Sequence, residues 1–231
     1  TSAGTSWIVM DAPPDREDTG PWLAMARRLT EAGLNAPLIR AVDSENGFVL
    51  MSDLGSRLFL PELDEASADR LYGQALDALL RMQLQVPCDD LPVYDEARLV
   101  AEMELMPTWF FERHLGFTPG CEQWDVIELA FRTLVSNATG QTQVFVHRDY
   151  HSRNLMIADD DRPGILDFQD AVRGPISYDL VSLLRDCYIA WPDERVEAWA
   201  EAYRARAEAA AMKATAEREA VPLWIRPARR H

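Results

Sequence analysis

Apolar positions change period part-way along this chain. Early on they come in short runs of β-formers: Trp7-Ile8-Val9-Met10, stopped by Pro13-Pro14, then Leu38–Val42 and Gly47–Met51 about a turn at Ser44-Glu45-Asn46. Each predicts a strand. A helix between the first two runs from about Pro21, a good first-turn residue, to Gly33 as a C-cap, with Trp22, Met25, Ala26 and Leu29 on its apolar face. From residue 65 the period turns helical. Leu71, Ala75, Leu76, Leu79 and Met82 share one face of a helix ending before Pro87. Asp95–Met106 follows, with Leu99, Met103 and Met106 inward, and Pro107 kinks or restarts the helix, which runs on through Trp109, Phe110 and Phe111 (the last two read as core) to Gly116. Trp124, Ile127, Phe131, Leu134 and Val135 form another stripe.

The strand pattern then returns briefly. Val144, Phe145 and Val146 predict a buried strand, and Leu155–Ala158 with Ile165–Leu166 predict a hairpin turning at Pro163-Gly164. Ile176–Ile189 reads as a helix burying Leu180, Leu183, Leu184 and Cys187, and Pro192 ends that segment. Glu194–Ala220 is rich in Ala, Glu and Arg and has high helix propensity. No internal repeat or low-complexity linker interrupts the order.

At 231 residues and 48% hydrophobic content, the chain suits one large domain or two small lobes. No apolar run approaches the roughly 18 residues of a membrane span, so a soluble protein with no membrane partner is expected. It starts Thr-Ser-Ala-Gly, with neither an initiator Met nor a signal-peptide core, and is expected to begin inside a longer protein. Cys88, Cys121 and Cys187 are odd in number and lack ligand spacing, which reads as free core thiols in a reducing cytoplasm. Net charge is 23 minus 38, or −15, which argues against nucleic acid as a partner. The only lysine is Lys213, leaving 22 of the 23 basic residues as arginine.

The stretch from Val144 to Tyr188 carries candidate chemistry. It reads V-F-V-H-R-D-Y-H-S-R-N-L-M-I, crosses an acidic turn at Asp159-Asp160-Asp161 that reads as solvated, and continues I-L-D-F-Q-D-A-V-R-G-P-I-S-Y-D-L. Asp149, Asn154 and Asp167 each leave a short buried strand and converge at one edge. A carboxylate, a carboxamide five residues on and a carboxylate beyond a hairpin suit metal-assisted phosphoryl transfer. One acid orients and deprotonates a hydroxyl, while the other two groups hold magnesium on nucleotide phosphates.

H-R-D-x-x-x-x-N followed by an apolar-D-F resembles the catalytic and metal loops of the protein-kinase-like fold. The form I-L-D-F-Q-D-A with G-P-x-x-Y-D-L is similar to its aminoglycoside phosphotransferase family of small-molecule kinases. Within that family, H-R-D-Y-H-S-R-N and D-F-Q-D-A-V-R-G-P resemble members that act on the anomeric hydroxyl of N-acetylmuramate and N-acetylglucosamine. W-I-V-M-D-A-P-P, E-A-G-L-N-A-P and L-M-S-D-L-G extend the likeness, more loosely, up to about Tyr203.

The resemblance implies an α/β (α+β) two-lobed fold: a truncated β-rich nucleotide lobe over residues 1–54 and a mainly helical catalytic lobe over residues 55–231. It implies ATP as co-substrate, Mg²⁺ as cofactor and a small sugar as acceptor, with oligomeric state open. Asp149 is the expected base, with His147 orienting the loop, and Asn154 and Asp167 the expected metal ligands. Met51, Ser52, Asp53 and Leu54 correspond to the hinge that reads the adenine edge, although Asp53 equally suits a turn cap. Glu104, Trp109, Arg148, His151, Arg153 and Arg173 are candidate acceptor contacts: aromatic faces stack on sugars, and arginine forks grip phosphate or a sugar carboxylate. Asp179 is expected to brace the loop.

Two departures stand out. The strand that carries a lysine in protein kinases has Met10-Asp11 here, so Glu31 in the next helix has no lysine to pair with. The tail V-P-L-W-I-R-P-A-R-R-H has no clear match to the family. Kinases for another small alcohol, of aminoglycoside or choline type, and a nucleotide-binding pseudokinase are the competing expectations.

Overall fold

The early β-forming runs become three antiparallel strands in the computed structural model, which describes residues 6–158 and 162–217. β1 (Trp7–Asp11), β2 (Ile39–Asp43) and β3 (Phe48–Ser52) lie in the order β1-β3-β2, with Trp7 opposite Ser52 and Asp43 opposite Phe48. The β2–β3 turn requires Gly47: its φ is +77°, and a Cβ there would meet the Ala12 carbonyl oxygen at 2.1 Å. Helix α1 (Gly20–Glu31) carries its proline in the first turn and is followed by Gly33 at φ 73°. It buries Met25, Ala26 and Leu29, and sets Trp22 5.4 Å from the ring of Phe168. Arg28 also reaches across to the helical part, donating to Asp90 at 2.8 and 2.6 Å and to the Pro87 carbonyl at 2.6 Å.

Beyond β3 come α2 (Phe59–Glu62), α3 (Ala68–Gln85), α4 (Glu96–Met103), a π-helix (Met106–His114) and α5 (Cys121–Thr139). Next are two short antiparallel pairs, β4 (Gln143–Val146) with β7 (Val172–Pro175) and β5 (Leu155–Met156) with β6 (Gly164–Ile165). Helices α6 (Tyr178–Leu184) and α7 (Asp193–Glu217) follow.

Helix α3 is the spine of the helical part. Leu71, Leu76, Leu79 and Met82 are fully buried, each worth about 1.5–3 kcal/mol over exposure. Tyr72 stacks on Trp199 of α7 with centroids 4.2 Å apart and planes at 4°. Strand β4 is buried on both faces: Phe145 joins the main core, while Val144 and Val146 pack with Tyr94 and Val172 in a second, small cluster.

Several expectations needed correcting. Beyond Pro107 the chain winds as a π-helix, and Met106, Trp109 and Phe110 on it are exposed. Proline lacks the N–H that would continue an α-helix, and a wider turn accommodates it. Phe110 is therefore not core; its ring contacts Phe111 and His114 of the same segment. Leu134 also points outward, and α5 buries only Ile127 and Val135. Helix α6 stops at Leu184 rather than reaching residue 189, because the chain turns to drive Asp186 inward under the loop after β4. That turn exposes Cys187, and Cys121 is exposed as well, so neither is a core group; Cys88 is half-buried and packs against the main core. The acidic turn 159–161 and the tail 218–231 lie outside the described residues, as do residues 1–5. Among the described residues, no helix is long and apolar enough to cross a membrane.

Candidate active site

Strand β4 ends at Val146, and the loop it feeds is held from beneath by two buried acids. Asp179, in the first turn of α6, is fully buried. Its Oδ2 accepts from the His147 backbone N–H at 2.7 Å and its Oδ1 from that of Arg148 at 3.0 Å. Burial pushes its carboxyl up to about 7, against the pull of those two bonds. Asp186 grips the other side: its Oδ2 accepts from the Ser152 N–H at 2.9 Å and the Ser152 hydroxyl at 2.5 Å. Between these anchors Arg148 sits at φ 78°, and Asp167, beyond the β5–β6 hairpin, at φ 62°. Side chains seldom adopt that left-handed region, and its strain persists only where the surroundings over-determine it.

The three chemistry-bearing residues do converge. The Asn154 side-chain amide donates to the Asp149 carbonyl at 3.0 Å and to Asp167 Oδ2 at 3.3 Å. The Leu166 N–H closes back on the Asn154 carbonyl at 3.0 Å, and Gln169 donates to Asp167 Oδ1 at 2.8 Å. The Asp149 carboxyl is raised above its ordinary value, first by burial and then by the negative charge of Asp167. His147 is fully buried, and burial pushes its imidazole down to about 4, so it is neutral at pH 7. The donor set of two carboxylates and a carboxamide is all oxygen and fits a hard divalent cation.

The other expected residues divide. His151 donates its backbone N–H to the Asp149 carbonyl at 3.1 Å and holds its ring 5.4 Å from Tyr188. Arg153 lies over the same Tyr188 ring at 4.8 Å. Arg148 is directed away to Glu102, 2.5 Å distant. Arg173 is in β7 opposite Phe145, 4.0 Å from Asp89, rather than in the loop. Glu104 is exposed where α4 ends, and the exposed Trp109 is covered on one face by Arg113 at 4.0 Å. At the expected hinge, Met51 is buried, and Ser52 bonds Leu38 twice through its own N–H and hydroxyl oxygen, at 2.9 and 2.8 Å. Asp53 caps a turn by accepting from the Gly55 N–H at 2.8 Å, and Leu54 packs over Gly164 of β6.

The model of the phosphotransferase enzyme family matches residues 1–219. The chain belongs to this family. It is 43% identical over 219 residues to a Pseudomonas putida protein named N-acetylmuramate/N-acetylglucosamine kinase, covering 94% of this chain and 64% of that one. A Neisseria meningitidis protein of the same name is 39% identical over 84% of this chain and 59% of its own length. The chain thus spans about three-fifths of the curated relatives it matches. Among solved structures, ADP-bound aminoglycoside phosphotransferase APH(2'')-Ib superposes with TM-score 0.60 at 19% identity, covering 93% of this chain and 81% of that one. Choline kinase LicA from Streptococcus pneumoniae gives 0.60 at 13%, over 88% and 69%. These likenesses identify the two-lobed kinase-like fold of the family.

Sequence reasoning missed two residues that shape the family's loop here. Glu102 lies three positions after Leu99, on the helix face expected to point inward, and that spacing is the signal that could have found it. Asp186 left no such signal, because its role depends on the early end of α6.

Proposed function

We propose that the protein is an ATP-dependent, Mg²⁺-requiring sugar kinase that phosphorylates the anomeric hydroxyl of N-acetylmuramate or N-acetylglucosamine in the cytoplasm. Residues 1–54 then serve as the nucleotide lobe, with the hinge at Met51–Leu54, and residues 55–231 as the catalytic and acceptor lobe. The observation that carries the reading is the Asn154 amide bridging Asp149 and Asp167 on a loop held at positive φ. The names of relatives at 39–46% identity support the acceptor.

Asp149 orients the acceptor hydroxyl and takes its proton as the oxygen attacks the terminal phosphoryl group and ADP departs. Its raised affinity for a proton makes it a better base than a solvated aspartate. Asn154 and Asp167 would hold magnesium, which would neutralise charge on the phosphates. His147 acts by packing, since a neutral, buried ring has no route for proton transfer. Arg153, exposed beside His151, supplies a guanidinium for a phosphate or for the lactyl carboxylate of muramate. The anomeric hydroxyl is more acidic than an ordinary alcohol because of the ring oxygen, which eases its loss of a proton to a carboxylate.

A methyl glycoside of N-acetylglucosamine tests the reading, since its C1 oxygen is blocked while its other hydroxyls are open. The free sugar should give an acid-labile 1-phosphate and the glycoside no product. Phosphate at C6, or equal turnover of the glycoside, would replace the anomeric assignment with a kinase for another alcohol.

A further inference from the structure

Helix α4 leads into the exposed aromatic π-helix, yet it buries none of its own residues. Besides the packing of half-buried Leu99 on the small cluster around Tyr94, a polar knot joins it to the rest of the protein. Glu102 takes the Arg148 guanidinium on Oε1 at 2.5 Å. Its Oε2 accepts from the Tyr94 hydroxyl and lies 3.3 Å from that of Tyr178, and the two tyrosine hydroxyls are 3.1 Å apart. Both oxygens of this carboxylate are engaged, although the Glu102 side chain keeps 35% of its surface exposed and only Tyr94 of the knot is fully buried. Charge-assisted bonds are stronger than neutral ones, and losing one partner leaves the other unpaired.

The knot closes on Arg148 from two sides. Its side chain is held by Glu102, and its backbone N–H by Asp179, the residue next to Tyr178. Arg148 is also the residue at φ 78°, and the next peptide carries Asp149. If the side-chain hold were lost, relaxation of that φ would rotate Asp149.

We propose that Glu102 is a positioning residue that couples the acceptor-side helix α4 to the orientation of Asp149, acting through the Arg148 side chain. This rests on the reading of Asp149 as the base and of the region beyond α4 as the acceptor side. It assigns Arg148 to alignment rather than to sugar or phosphate contact, and leaves Glu104, two residues on and exposed, as the acid open to an acceptor.

The test uses the full-length protein with Glu102→Gln, Arg148→Met and the double variant. Each single change should lower kcat by about tenfold or more and raise the sugar KM, because small misplacements of a reacting group cost that much. ADP affinity should stay within about twofold, and the double variant should be no worse than the poorer single one, as for residues acting as a unit. Hydrogen exchange of residues 96–104 and 147–149 should quicken together in Glu102→Gln. If that variant keeps kcat within about threefold of wild type while only its melting temperature falls, or if the losses add, Glu102 is a brace and the proposal fails. Should Glu102→Gln not fold, Tyr94→Phe removes a single hydroxyl and must shift kcat and exchange in the same directions. If wild type phosphorylates no amino sugar, the proposed function fails by itself. Exchange then decides the coupling: unchanged rates at 147–149 overturn it, and faster rates at both segments sustain it.

Discussion

Replacing Asp179 by asparagine should separate the two consequences of burying a carboxylate under the loop after β4. Its two oxygens each accept one backbone N–H, at 2.7 and 3.0 Å. Asparagine keeps one acceptor and turns an NH₂ toward the other N–H, a loss of about 1–3 kcal/mol relative to the ionised carboxylate. The second consequence depends on pH. The folded-state carboxyl lies at about 7 against an ordinary value of 3.8. A folded value raised above the unfolded one means that the native state holds the proton longer. The stability from this group is therefore complete at low pH and is lost as pH rises through about 7. The slope is about 1.4 kcal/mol per pH unit, or about 2 kcal/mol between pH 5.5 and 7. Asparagine has no such term.

The difference in unfolding free energy, variant minus wild type, should thus shift by about 2 kcal/mol in favour of Asp179→Asn across that window and level off above it. Urea unfolding of both proteins at matched pH measures this, and the subtraction cancels the titrating groups that do not interact with Asp179 while m stays constant. Over the same range kcat of the variant should be about 10–100-fold down, since the His147–Arg148 peptide loses one of its anchors. A stability gap that does not change with pH would refute the reasoning. It would mean that the two N–H bonds outweigh burial and keep Asp179 ionised in the folded protein.

Asp149→Asn should lower kcat by about 10²–10⁴-fold with ADP affinity unchanged by calorimetry, and a variant retaining more than about a third of the rate would remove Asp149 from the chemistry. Asp167→Ala should abolish the tightening of ATP binding by Mg²⁺; wild-type ATP affinity that is the same with and without chelator would undo the metal assignment. Gly164→Val should weaken nucleotide binding more than sugar binding, because a Cβ there meets Leu54 and Met156 side-chain atoms at 3.1 Å. Overpacking of that kind costs about 1–3 kcal/mol, and equal losses for both substrates would detach Leu54 from the nucleotide site.

Hydrophobic period sufficed where burial alone selects an element. Helices α1 and α3 and the β5–β6 hairpin fall close to their expected places, since each buries an apolar face; the β1–β3 sheet does so too, although only Val49 and Met51 of β3 are buried in it. It failed along 95–134, where apolar residues are abundant but the main core does not reach. Met106, Phe110 and Leu134 have helical spacing and point outward, because spacing reports a face and says nothing of what covers it. The end of α6 was illegible for another reason. Leu180, Leu183, Leu184 and Cys187 continue a helical stripe, but Asp186 gains two bonds to Ser152 by leaving it, and a preference of that kind lies in the tertiary partner. Asp149, Asn154 and Asp167 were legible because local strands and one hairpin bring them together. Glu102 meets Arg148 across 46 residues, and no local pattern records that pairing.

The loop arginines sharpen the question of how a highly anionic nucleotide is held by a chain of net charge −15. Lys213 lies on α7, and β1 presents Met10 opposite Val49 where a protein kinase would place its lysine. Arg148 is neutralised by Glu102, and Arg173 lies toward Asp89. Arg153 rests on the Tyr188 ring, an aromatic contact that leaves its positive charge in place. Against it stand Asp149 and Asp167, with Asp170 near enough to raise Asp149 further. Local charge at the loop is therefore negative before any ligand arrives, and a metal-free polyphosphate meets repulsion there. A divalent cation held by Asn154 and Asp167, as proposed, would reverse that balance. On that proposal, nucleotide binding should depend more on the cation than it would in a site with a strand lysine.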